Sequence, residues 1–122
     1  MPAFLVSFSL VAVNREETSP SVVRIVSCHA VAGDPLLDRL QAALVEHAAV
    51  QCGYCSPGML VSLYHLLRTC RTAGTAPDEH AIREALSGNL CRCTGYVKPV
   101  AAAAAVAAAL AAGAVDGSTE AR

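Results

Sequence analysis

The 122-residue chain has no tryptophan, two phenylalanines and three tyrosines, so aromatic residues make up only 4% of it. Yet 54% of its residues are hydrophobic, many of them alanine. A core drawn from such material is small-residue helical packing rather than stacked aromatic layers. The chain also lacks an excess of either charge. Nine Lys and Arg face ten Asp and Glu, for a net charge of −1. That balance leaves no electrostatic footprint for nucleic acid or for an anionic membrane. Outside the alanine-rich tail there is no apolar run of about 18 to 20 residues, and the tail is too weakly hydrophobic for membrane insertion. Met1–Val13 has the apolar run of a signal peptide but no Lys or Arg before it, and its alternation around Ser7 and Ser9 suits a strand equally well. A cytoplasmic location is therefore expected. Finally, there is no Ser/His/Asp arrangement, no paired carboxylates and no phosphate-cradling glycine loop. The chain carries no substrate chemistry of its own.

What it does have is six cysteines. A disulfide framework suits a secreted, loop-rich domain, whereas this sequence reads as helical. In a reducing compartment such cysteines more often bind metal than pair.

The chain divides into an irregular front and a helical remainder. Residues 1–33 hold two β-leaning runs, Phe4–Val13 and Val22–Val26, separated by a polar stretch, Asn14–Ser21, that reads as a loop. This front is read as a hairpin or as the remnant of a ferredoxin-like domain; two strands alone are marginal in water. Residues 34–113 read as four helices. Asp34-Pro35 is a cap followed by proline, and Leu36, Leu37, Leu40, Ala43, Leu44 and His47 recur at helical spacing to about Ala48. Ser56-Pro57 gives a second start, with Leu60, Leu63, Leu66 and Leu67 inward and an end between Thr69 and Gly74. Asp78 opens a shorter third helix with Ile82, Ala85 and Leu86 inward and Gly88 as terminator. Lys98-Pro99 opens a fourth, through the alanine run to Gly113. Residues 114–122 read as a frayed tail.

Two of the three junctions hold cysteine pairs. Cys52 and Cys55 form C-x2-C before the second helix; Cys91 and Cys93 form C-x-C before the fourth. Short chelating pairs bring two thiolates to one small centre at little entropic cost. Gly53 and Gly95 permit tight turns that aim backbone amides at sulfur, and nearby helix N-termini favour thiolates. Four thiolates satisfy either Zn²⁺ or a [2Fe–2S] centre, and spacing alone leaves both open.

The words around the cysteines are more specific. Val50–Leu60 reads VQCGYCSPGML and Ile82–Tyr96 reads IREALSGNLCRCTGY. Across residues 34–112 the chain closely resembles the helical [2Fe–2S] domain of molybdenum hydroxylases, the family of xanthine dehydrogenase, aldehyde oxidoreductase and carbon monoxide dehydrogenase small subunits. The resemblance implies a mainly α fold: a four-helix bundle with a [2Fe–2S] cluster at one end, held by Cys52, Cys55, Cys91 and Cys93. It also places Gln51 and Cys93 near the pterin of a molybdopterin cofactor. The implied function is an electron-transfer subunit of an oxidoreductase, with electrons passing from molybdenum through the pterin to this cluster, then to a second cluster and to flavin. Molybdopterin and FAD are then expected on a large molybdopterin-binding subunit and a flavin subunit. A reading from another class is a structural metal-binding or assembly module without a redox role.

The sequence departs from the family at its front, where the C-x4-C-x2-C of a plant-type ferredoxin domain is missing. Truncation, a rewritten front, or a ferredoxin-like domain supplied by a separate chain each fit. Cys28 reads as a buried thiol rather than a ligand. The stretch Thr69–Pro77 is a few residues longer than usual, and Cys70 at its start reads as a free, partly exposed thiol. His47 and His65 read as packed or surface side chains. Tyr54 and Tyr96 read as aromatic packing over the cluster. Arg92 and Lys98 suit either solvent or a partner subunit.

Overall fold

The structure is a computed structural model that describes residues 14–15, 23–24 and 31–113. The run Phe4–Val13, Cys28 and the tail 114–122 lie outside the described residues. In the front, β1 (Asn14–Arg15) pairs antiparallel with β2 (Val23–Arg24), with Asn14 opposite Arg24 and Arg15 opposite Val23. Asn14 and Arg15, expected in the loop, instead join the ladder.

Four helices follow, as expected of a mainly α chain: α1 (Pro35–Glu46), α2 (Ser56–Thr72), α3 (Glu79–Leu86) and α4 (Val97–Ala111). Asp34 caps α1 by accepting from Leu36 N at 2.8 Å, and Asp78 caps α3 by accepting from Ala81 N at 2.8 Å. A side-chain cap satisfies one of the orphan donors at a helix start, and its loss costs about 1 kcal/mol. The second expected cap is corrected. Ser56 is the first residue of α2, and Cys55 occupies the cap position without a side-chain bond. The helix α4 likewise opens at Val97, from Tyr96 in the left-handed region at φ 66°, rather than at Lys98. It closes as expected at Gly113, φ 71°.

The helices α1 and α3 each pack against both α2 and α4, closing a ring around one core. Leu37, Leu40, Leu63, Leu67, Ile82, Leu86 and Val106 fill it. Ala102 and Ala103 on α4 are fully buried; their small side chains let α1 and α4 approach closely. The inward set on α2 is Met59, Val61, Leu63, Tyr64 and Leu67, while Leu60 and Leu66 are only partly buried. Among the described residues no helix is long and apolar enough to cross a membrane.

One polar tie crosses this core. Tyr64, on α2, donates its hydroxyl to Asp34 Oδ2 at 2.8 Å, so a single carboxylate both caps α1 and anchors α2. Burial, reinforced by Asp34, raises the Tyr64 phenol above its ordinary value. Asp34→Ala should therefore cost about 1 to 3 kcal/mol in urea unfolding, a lost cap plus a buried hydroxyl without its acceptor. An unchanged midpoint would contradict that. The pH dependence follows the same bond. A raised folded-state value means Tyr64 contributes fully below the unfolded value, near 10, and its contribution is lost as pH climbs through the higher folded value. Tyr64→Phe should flatten that alkaline loss.

Candidate metal centre

The C-terminus of α1 and the N-terminus of α2 lie at the same end of the bundle as the C-terminus of α3 and the N-terminus of α4. The α1–α2 loop, residues 47–55, therefore meets the α3–α4 loop, residues 87–96. At the exit from α1, His47 is the cap and Ala48 takes φ 51°, after which Ala49 N bonds back to Leu44 O at 2.8 Å. This turn ends the helix short of the expected Ala48 and sends the chain into the first cysteine pair. Gly53 at φ 80° and Gly95 at φ 62° supply the left-handed turns inside the two motifs.

The four expected thiols come together as two pairs, each pair drawing one cysteine from each motif. Cys55 and Cys91 lie close enough to shift one another's titration, and Cys93 is shifted in the same way by Cys52. The Cys52–Cys93 pair is exposed at the surface, and the Cys55–Cys91 pair is half-buried beneath it. The environments of the inner pair push its two thiols apart. Burial, then the neighbouring Cys91 thiol, pushes Cys55 up to about 11. The Thr94 side-chain hydrogen bond, helped by backbone amides of Thr94 and Cys93, brings Cys91 down to about 7. At the outer pair, the neighbouring Cys52 thiol raises Cys93. The first proton of the inner pair therefore leaves from Cys91, which lies nearest the thiolate that a metal requires.

The C-x-C loop is braced by residues that spacing did not reveal. Tyr96 Oη donates to Asn89 O at 2.7 Å and accepts from Cys91 N at 2.9 Å, closing the loop on itself. Asn89 Nδ2 in turn donates to Ser62 Oγ on α2 at 2.8 Å. Gly58, on the same helix, makes room: a Cβ there would stand 2.7 Å from Asn89 Oδ1. Tyr96 is thus a polar strut as well as an apolar contact of the core. For Tyr54 the expectation of packing is corrected, since its side chain is 85% exposed. Gln51 is exposed on the loop next to Cys52, and Arg92 and Lys98 are exposed as well. Cys70 is a half-buried free thiol at the opposite end, beside Leu67, Ala107 and Leu110. His47 and His65 are half-buried, and neither joins the cysteines.

Four thiols drawn from two loops meet the ligand demand of either open metal. Two thiol pairs, side by side, fit a centre of two irons that takes two cysteines at each iron.

A four-helix bundle with paired thiols bridging two loops at one end is a cysteine-ligated domain suited to a dinuclear iron–sulfur centre. The [2Fe-2S] binding domain family matches residues 27–104. The chain belongs to that family. It is 45% identical over 74 residues to the nicotinate dehydrogenase small FeS subunit of Eubacterium barkeri, covering 61% of this chain and 45% of that protein. To the nicotine 6-hydroxylase small subunit of Paenarthrobacter nicotinovorans it is 49% identical over 63 residues, 52% of this chain and 36% of that one. The crystal structure of quinoline 2-oxidoreductase from Pseudomonas putida 86 superposes with a TM-score of 0.56 at 35% identity, covering 79% of this chain and 58% of that chain. The chain therefore spans less than half the length of the two curated relatives.

Proposed function

We propose that this chain is the helical iron–sulfur domain of a molybdenum hydroxylase of the xanthine dehydrogenase type, carrying electrons between the molybdopterin centre and a flavin. Residues 34–113 form that domain, and Cys52, Cys55, Cys91 and Cys93 are the cluster ligands. The observation that carries the reading is the cross-motif pairing of the thiols, Cys52 with Cys93 and Cys55 with Cys91. When bound, a [2Fe–2S] cluster supplies one-electron storage and relay. The chain's own residues set the conditions for it. The inner thiols are shielded by the apolar bundle, and the amides of Cys93 and Thr94 face Cys91 sulfur. The outer thiols and Gln51 are at the surface, open to a pterin held by a partner.

The surface around the cysteines supports a partner. Tyr54, Leu90 and Val97 are 85%, 86% and 66% exposed, and all three flank the cysteine loops. Large apolar side chains gathered at one end of a domain mark an interaction surface. They suit a large molybdopterin-binding subunit, with a flavin subunit and a ferredoxin-like domain completing the relay. The proposed location is the cytoplasm, where thiols stay reduced.

The test is direct. Anaerobically purified protein should contain iron and acid-labile sulfide in equal amounts, bleach reversibly with dithionite, and give a [2Fe–2S] paramagnetic resonance signal on reduction. A colourless protein holding one zinc would end the proposal, and a coloured protein that dithionite cannot bleach would leave only a structural role. Purified from its native host, it should bring molybdenum and flavin with it.

A further inference from the structure

We propose that the Thr94 hydroxyl donates a hydrogen bond to Cys91 Sγ and thereby raises the reduction potential of the cluster, a role that rests on the ligand assignment above. Thr94 Oγ1 lies 3.1 Å from Cys91 Sγ and accepts the Tyr96 N–H at 3.2 Å. An oxygen already taking an N–H keeps its own hydrogen for a second partner, and a metal-bound thiolate has no hydrogen to give. The bond therefore runs from oxygen to sulfur.

The surrounding structure fixes that direction. The Tyr96 N–H is held in place because Tyr96 adopts φ 66°, a strained conformation for a non-glycine residue. Two hydrogen bonds of its hydroxyl, to Asn89 O and from Cys91 N, offset that strain. Asn89 is fastened to Ser62 of α2, so the loop carrying Thr94 is referenced to the helix that begins beside Cys55. Thr94 is half-buried, where water competes less for the bond.

The consequence is electrostatic. An electron taken from an external reductant adds one negative charge, spread over the irons and their sulfurs. A hydroxyl hydrogen pointing at one of those sulfurs stabilises the reduced form more than the oxidised form. No proton moves and no covalent bond breaks; the hydrogen stays on Oγ1.

The experiment is a potentiometric titration of the full, cluster-loaded chain with dithionite, comparing the unaltered protein, Thr94→Val and Thr94→Ser. Valine keeps the shape and the backbone amides but removes the hydroxyl. Its reduction equilibrium should become about tenfold less favourable, a potential lower by about 59 mV for one electron, while serine should restore the parent value. A loaded valine variant with the parent potential, or a serine variant as low as valine, overturns the proposal. Should valine fail to take up the cluster, Thr94→Ala carries the same comparison. The unaltered protein supplies a further check. After exchange into D2O, electron–nuclear double resonance of the reduced chain should show exchangeable deuterons coupled to the cluster, and their absence overturns the proposal too. Failure of the ligand assignment looks different, because iron and sulfide are then missing from every protein.

Discussion

Replacing Cys91 by serine is expected to abolish the visible spectrum of the cluster and to lower the melting temperature of the anaerobically purified chain by roughly 15 °C or more. Cys91 shares the half-buried pair with Cys55, and as one of the four proposed ligands its loss would leave a cluster with three protein thiolates. A serine oxygen is a harder and poorer donor to such a centre than sulfur. Loss of a structural metal belongs to the few changes that cost about 4 kcal/mol or more, and in a domain of this size each kcal/mol moves the melting point by about 4 °C or more. Metal binding and folding would be coupled, because the proposed ligands come from two loops that only the folded bundle brings together. Cys70→Ser is the internal control. Its thiol is free and at the opposite end of the bundle, so that variant should keep colour and stability alike. A Cys91→Ser protein that retains the cluster and melts with its parent would remove Cys91 from the ligand set.

The helices were legible because their signals are local. Asp34 and Asp78 cap the helices they precede, by the chemistry that makes aspartate a good cap anywhere. The misplaced start of α2 shows where local signals stop. Proline is tolerated anywhere in the first turn, so Ser56-Pro57 fits equally with Ser56 as the cap or as the first helical residue. What decides between them is the chelating loop, which leaves Cys55 already in helical conformation at φ −82°, ψ −15°. Tyr96 illustrates the same limit more sharply. Nothing in its own chemistry predicts φ 66°; the hydrogen bonds of its hydroxyl to Asn89 and Cys91 hold it there. Spacing named the four cysteines but not their partners. Which thiol meets which depends on how the two helix pairs lie against each other, a tertiary fact. Tyr54 failed for a related reason, since sequence shows that an aromatic neighbours a cysteine but not which way it faces.

Leu63→Ala separates what the metal contributes from what the core contributes. Leu63 sits on α2 with no exposed surface, inside the cluster of leucines that joins the helices. Its truncation removes buried apolar contact and leaves a cavity that a helix ring of this kind fills only in part, which costs about 2 to 5 kcal/mol. The small residues of the same core, Ala102 and Ala103 among them, have no spare methylene groups with which to close a gap. Because this loss arises in the core, it should be the same in the loaded chain and in the chain stripped by chelator under reducing conditions. Cys91→Ser should behave in the opposite way, costing much against the loaded parent and little against the stripped one. Urea unfolding of parent and Leu63→Ala, each loaded and stripped, and of Cys91→Ser, followed by far-ultraviolet circular dichroism, reads both differences. If Leu63→Ala costs the loaded chain several kcal/mol and the stripped chain nothing, the stripped chain has no packed core. The bundle would then owe its fold to the metal rather than to its leucines.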